Sequence, residues 1–274
     1  MPSLTVVVLN CGYTSPVITK ARGQYSDVFA DILRPAVARH NARAANANAN
    51  THAGVELVLR GYDAIQQTYP PSLDGVDALI ITGSPNGAYE DFAWIRTLLA
   101  YVRRVYTQHP AVKIYGSCFG HQVVCAALFC EAGAVVCKDP NGFELGVQTV
   151  ALVDAFAARF APCLGGKRAL RLQMLHGDHV VLPDASVPDG TCVIGTTPHC
   201  ANQGIYQAGR LLTYQGHPEF DTFMNTECLK IVGPRKGWSD AATAAAIASA
   251  QGEDDAATAT DIIVSFFLGE DTGL

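Results

Sequence analysis

An apolar run, Val112–Tyr115, leads without a loop into Gly116-Ser117-Cys118-Phe119-Gly120-His121-Gln122. A helical pattern carried by Val123, Val124, Ala127 and Leu128 follows at once. A strand that becomes a helix across so few residues must turn sharply, and the residue at the apex projects above the sheet edge. Little bulk fits beside such a turn, which is why glycines two places before and after Cys118 matter. The helix that starts just after Cys118 aims the partial positive charge of its N-terminus at the sulfur, favouring thiolate. It also offers free N–H groups to a developing oxyanion. The plain alternative is a buried structural cysteine in a glycine-bounded turn. The strand before, the helix after and the His121-Gln122 pair favour a nucleophile.

The rest of the chain fits an α/β domain around this junction. Leu4–Leu9 reads as a buried first strand, and Gln24–Leu33 as a helix with Val28, Phe29, Ile32 and Leu33 on one face. Val55–Arg60 and Val76–Thr82 read as strands, the latter ending in the turn Gly83–Gly87. Residues 91–107 form a helical pattern with Ile95, Leu98, Leu99, Val102 and Val105 in register. This alternation predicts a flavodoxin-like, mostly parallel central sheet with helices on both faces. From Val135 to Tyr214 the runs shorten (Leu145–Val150, Leu170–Leu175, Cys192–Thr196, Leu211–Tyr214), which predicts an antiparallel β extension. A helical tail follows over 238–274. The Ala/Asn-rich stretch near 42–54 has nothing to bury and reads as a mobile surface insertion in a single domain spanning 1–274.

Composition removes several classes. A formal net charge of −6 with 19 Lys+Arg gives no clustered basic surface for nucleic acid, and Arg103-Arg104 reads as a solvated helix face. No apolar run is long enough to span a bilayer, and the start, Met1-Pro2-Ser3-Leu4, lacks a basic leader, so a soluble cytoplasmic protein is expected. Nine cysteines without a C-x-x-C pair point to neither a disulfide framework nor a zinc ribbon; most are expected to be buried.

A thiolate nucleophile needs an imidazole, and the imidazole needs an acceptor to fix its tautomer. Gly216-His217-Pro218-Glu219 supplies both. Pro218 keeps His217 extended, and in an extended segment residues two apart project to the same side. A surface turn with a solvated His and Glu is the competing reading; the Cys118 junction tips the balance.

With these two motifs in expected order, the chain resembles the class I (triad) glutamine amidotransferase superfamily. Gly116–Gln122 looks like its nucleophile motif and Gly216–Glu219 its His-x-Glu motif. Ile81–Pro85 resembles the loop that supplies an oxyanion-hole amide, and Met174–Asp178 the segment before the last strands. Within it, the chain is most similar to stand-alone γ-glutamyl peptidases that process glutathione conjugates. Gly23-Gln24-Tyr25, Asp91–Ile95 and Gly142–Gly146 carry that likeness; the Ala/Asn stretch departs from it. The resemblance implies attack by Cys118 on a γ-glutamyl carbonyl to form a thioester, with His217 as acid and base and Glu219 orienting it. It implies an oxyanion hole from the backbone N–H of Phe119 with that of Ser84 or Gly83. Gln122 is implied at the substrate's α-amino end, with Glu144 and Asp178 supporting the pocket.

No cofactor is implied. His176-Gly177-Asp178-His179 with His199-Cys200 could be drawn as a metal site, but neighbours in a strand point to opposite faces and no spaced pair supports them, so no metal is expected. The turn Gly83–Gly87 lacks the lysine and spacing of a phosphate loop. The expected partner is a small γ-glutamyl substrate, without nucleic acid or membrane; no oligomer is assigned. Two other readings stand beside hydrolysis: a glutaminase subunit passing ammonia to a separate synthase, and a catalytically silent binding or regulatory relative.

Overall fold

The structure, a computed structural model, describes residues 2–47, 54–183 and 190–272. In chain order the elements are β1 (Ser3–Asn10), α1 (Pro16–Arg22), α2 (Tyr25–Ala47), β2 (Glu56–Asp63), β3 (Ala78–Ile81), α3 (Ala93–Gln108), β4 (Lys113–Ser117) and α4 (Phe119–Leu128). Then come β5 (Val135–Lys138), β6 (Glu144–Leu152), α5 (Asp154–Arg159), α6 (Ala161–Leu164), β7 (Ala169–His176), β8 (Asp178–Val181), β9 (Thr191–Val193) and β10 (Gly195–Thr196). The chain closes with β11 (Ile205–Gln207), β12 (Leu211–Tyr214), α7 (Thr222–Arg235), α8 (Asp240–Ser249) and α9 (Ala256–Leu268).

Seven strands form the central sheet in the order β2-β1-β3-β4-β12-β11-β9. β2 through β12 run parallel, and β11 and β9 extend the sheet antiparallel. The period-two side-chain alternation of the strands divides the core. Val6 and Val8 of β1, Tyr115 of β4 and Leu212 and Tyr214 of β12 pack with Phe29 and Leu33 of α2 and Ile263, Phe266 and Phe267 of α9. The intervening residues Val7, Leu9, Ile114 and Leu211 pack with Ile95, Leu98 and Val102 of α3 and Phe119, Val123 and Val124 of α4. Both faces are thus covered, as parallel strands require. Two smaller antiparallel sheets, β10-β6-β7 and β5-β8, lie outside the central one.

The structure departs from the sequence reading in several places. Leu211–Tyr214 belongs to the central sheet, parallel to β4, rather than to the antiparallel extension. Cys192–Thr196 divides between two sheets, with β9 in the central one and β10 beside β6. The second helix continues past Leu33 to Ala47, so the first part of the Ala/Asn stretch is helix rather than loop. Alanine favours helix there, and Arg39 and Arg43 pair with the mostly buried Asp261 of α9 at 2.7 and 2.9 Å. Residues 48–53 of the expected insertion lie outside the described residues. Helix α7 carries its buried Met224, Asn225 and Leu229 in a pattern too weakly amphipathic to have been read as a helix. Four of the nine cysteines are buried and all nine are free, so the expectation that most are buried overstates the case.

Register brings the chemistry to one edge. Ile81 of β3 lies beside Gly116 of β4, and Ser117 beside Tyr214 of β12. The residues that leave these strands (Thr82-Gly83, Cys118 and Gln215-Gly216-His217) therefore emerge together at the carboxyl edge, where open α/β sheets place their ligands.

Candidate active site

Cys118 stands between β4 and α4 with φ of 50° and ψ of −104°. A side chain at that φ is strained, and such strain concentrates at functional positions. The flanking glycines are steric necessities. A Cβ on Gly120 would overlap the carbonyl oxygen of Ile81, and one on Gly116 would come within 2.5 Å of the Gly120 carbonyl group. The turn is tied down by the Cys118 N–H donating to the Tyr214 carbonyl at 2.8 Å. The thiol itself is 7% exposed.

Across from it, the His217 N–H donates to the Gln173 carbonyl at 2.9 Å, an isolated bridge that fixes the segment after β12. The imidazole Nδ1 lies 2.8 Å from Glu219 Oε1, which leaves Nε2 free of the carboxylate, with Cys118 near enough to act on the ring's charge. Ser117 Oγ donates to the same Glu219 oxygen at 2.8 Å. Phe220 stacks flat on the imidazole, ring centroids 3.9 Å apart. Burial alone would depress the imidazole. The opposing charges of Cys118 and Glu219, with hydrogen bonds to both, outweigh it and push the pKa up to about 10.

The structure thus brings Cys118, His217 and Glu219 together. Gly83 borders it: a Cβ there would lie 3.1 Å from His217 Cε1 and 4.0 Å from Cys118 Cβ. Phe119 is the first residue of α4, where a backbone N–H has no helical acceptor. Ser84, the next residue of the β3 loop, uses its hydroxyl to accept from the Asn86 N–H at 3.3 Å.

Gln122 is buried on the first turn of α4. Its amide donates to the Asp178 carbonyl and to Gln215 Oε1, both at 3.2 Å, and Gln215 Nε2 lies 3.5 Å from Cys118 Sγ. His176 Nδ1 also donates to the Asp178 carbonyl, at 3.0 Å. The other ring nitrogen meets Glu144 Oε2 at 2.9 Å. Glu144 further accepts from Thr197 and Gln203, each at 2.6 Å. Burial would raise its carboxyl, but these bonds hold it below the usual range. Glu144 is therefore linked to the cysteine indirectly, through His176, the Asp178 backbone, Gln122 and Gln215. The Asp178 carboxyl is half-buried, raised chiefly by burial, and accepts from the Tyr89 hydroxyl at 3.3 Å.

Sequence reasoning missed Ser117, Gln173, Gln215 and Phe220. Ser117 and Gln215 adjoin strand ends and Phe220 follows Glu219, so adjacency to the two motifs was the available signal. Gln173 on β7 had none, because only the fold brings it to His217.

An α/β sheet with a strained cysteine at a strand–helix junction and a buried His–Glu pair beside it defines a class of Cys-His-Glu proteins. The sequence profile of the glutamine amidotransferase class-I family matches residues 42–229, and the chain belongs to that family. A putative glutamine amidotransferase-like protein of Schizosaccharomyces pombe is 30% identical over 83% of this chain and 84% of its own length. Gamma-glutamyl peptidase 2 of Arabidopsis thaliana is 26% identical over 54% of this chain, and the match spans about half of the relative, 56%. A glutamine amidotransferase of Thermotoga maritima shares the fold, with a TM-score of 0.63 at 17% identity over 99% of each chain. Among the described residues no helix is long and apolar enough to cross a membrane.

Proposed function

We propose that the protein is a cysteine-nucleophile hydrolase that cleaves γ-glutamyl amide bonds, its substrates being glutathione, glutathione conjugates or similar small γ-glutamyl compounds. The observation that carries this reading is the Cys118–His217–Glu219 grouping at the carboxyl edge of the sheet. With the imidazole pKa pushed up to about 10, His217 rests as the imidazolium at neutral pH. The thiolate attacks the γ-carbonyl carbon, and the oxyanion is held by the N–H of Phe119 with that of Gly83 or Ser84; losing such a donor typically costs about 10²–10³ in rate. His217 gives its proton to the departing amine, leaving a γ-glutamyl thioester on Cys118. The neutral imidazole then takes a proton from water, whose oxygen attacks the thioester. Glutamate leaves, and the proton returns the pair to its starting state. Glu219, held by Ser117, keeps Nδ1 protonated throughout. Gln122 borders the substrate's α-amino end, while Glu144 and Asp178 shape the pocket wall, Glu144 through His176 rather than by contact.

The likeness to γ-glutamyl peptidases supports self-contained hydrolysis over ammonia supply. A panel of glutamine, glutathione and several glutathione S-conjugates, offered to the purified protein alone, tests it. The expected result is γ-glutamyl cleavage without any added protein, absent in Cys118→Ala. Strict dependence on an added synthase would overturn the reading in favour of a glutaminase subunit. No turnover on any substrate or with any synthase would mark a silent relative.

A further inference from the structure

A second cluster of cysteine, histidine and carboxylate lies on the far side of the Glu144–His176 network. β5 and β8 are antiparallel, with Cys137 opposite His179 and the Asp139 N–H donating to the Gly177 carbonyl at 2.9 Å. Asp139, two residues beyond Cys137, is therefore a diagonal same-face neighbour of His179. The turn after β10 delivers Cys200, pinned by its N–H on Thr197 Oγ1 at 3.0 Å and its carbonyl on the Thr197 N–H at 2.9 Å. One ligand atom each of Asp139, His179 and Cys200 lies within 4.8 Å of the others.

We propose that these three residues bind a zinc ion. Three observations carry the inference. Asp139 Oδ2 is fully buried and has no hydrogen-bond partner, although Oδ1 accepts from the Asn141 N–H at 2.8 Å. That orphaned oxygen faces His179 Nδ1 at 3.3 Å and His199 Nε2 at 3.5 Å. Ligand atoms around tetrahedral zinc at bond lengths of about 2.0–2.3 Å stand roughly 3.3–3.8 Å apart, so the Asp139–His179 edge of the tetrahedron is in place. The Cys200 sulfur is buried and spends its weak donor on the Asn202 carbonyl at 3.4 Å. Mixed sulfur, nitrogen and oxygen donors suit zinc over magnesium or calcium. Side-chain exposures of 16% for His179 and 23% for His199 leave an entry path. The sequence reading drew its candidate from His176–His179 and His199-Cys200 and did not include Asp139, about forty residues upstream of His179. Metal capture releases the Cys200 proton and joins the β5–β8 strand pair to the Thr197–Cys200 turn.

The test uses the full chain carrying Cys118→Ala, so that the active-site thiol takes no metal. After equilibration with zinc and gel filtration, metal analysis should find one zinc per chain. Adding Cys200→Ala or His179→Ala should weaken binding at least tenfold in a chelator competition. Cobalt(II) should give a thiolate charge-transfer band that Cys200→Ser abolishes. This band is read on the Cys118→Ala chain itself, so the proposal stays testable where a ligand variant does not fold. Well under one zinc per chain, no thiolate band with cobalt, or binding indifferent to both ligand substitutions would overturn it. None of these readouts depends on γ-glutamyl turnover.

Discussion

Cys118 and Cys200 each stand beside a histidine and a buried carboxylate, yet the backbone beneath them differs. Cys118 sits at φ of 50° at the head of a ten-residue helix, beside an imidazole whose pKa is pushed up to about 10. Cys200 lies in a turn with no positive φ, and burial pushes its thiol up to about 11. On the proposed readings, the same three side-chain types make a nucleophile in one place and a buried metal-binding thiol in the other. The backbone and the helix end set the difference.

The largest test of that contrast is replacement of the two cysteines. Cys118→Ala should lower kcat/KM by about 10⁴–10⁶-fold, while Cys200→Ala leaves it within roughly tenfold. Circular dichroism should show Cys118→Ala folded, because the sulfur lies at the sheet edge. Next, His217→Ala should cost about 10²–10⁴-fold, since it removes both acid and base. Glu219→Gln should cost about 10²-fold and alter the pH profile. His217 has its pKa raised, so the imidazolium persists through neutrality and is lost as pH rises through about 10. The alkaline limb of kcat/KM should therefore fall near pH 10, and Glu219→Gln, which removes one of the raising charges, should move it down. The smallest effect is expected for Phe220→Leu. Loss of the stacked ring should cost about two- to tenfold in kcat/KM, the scale of one aromatic pair.

The contrast also shows what a sequence carries. The Cys118 junction was legible because its constraints are local: Gly116 and Gly120 are needed by backbone atoms within the turn or directly beside it. His217 and Glu219 were legible because an extended segment fixes the relation of residues two apart. Leu211–Tyr214 could be seen as a strand, but its pairing with β4 could not, since sheet order is a property of the whole chain. The Asp139 cluster was not legible for the same reason. Its parts come from three segments, and the β5–β8 register that joins two of them is not written in any one. The length of α2 was underestimated because its Ala/Asn end has little to bury, and the Asp261 that holds it lies more than two hundred residues away.

Labelling with a glutamine-like chloroketone, followed by peptide mapping of all nine cysteines, tests the central contrast most directly. A single adduct on Cys118, blocked by excess γ-glutamyl substrate, with Cys200 and the exposed Cys130 unmodified, is the predicted result. No adduct on Cys118, or label spread over Cys130 and the other thiols alike, would contradict the account.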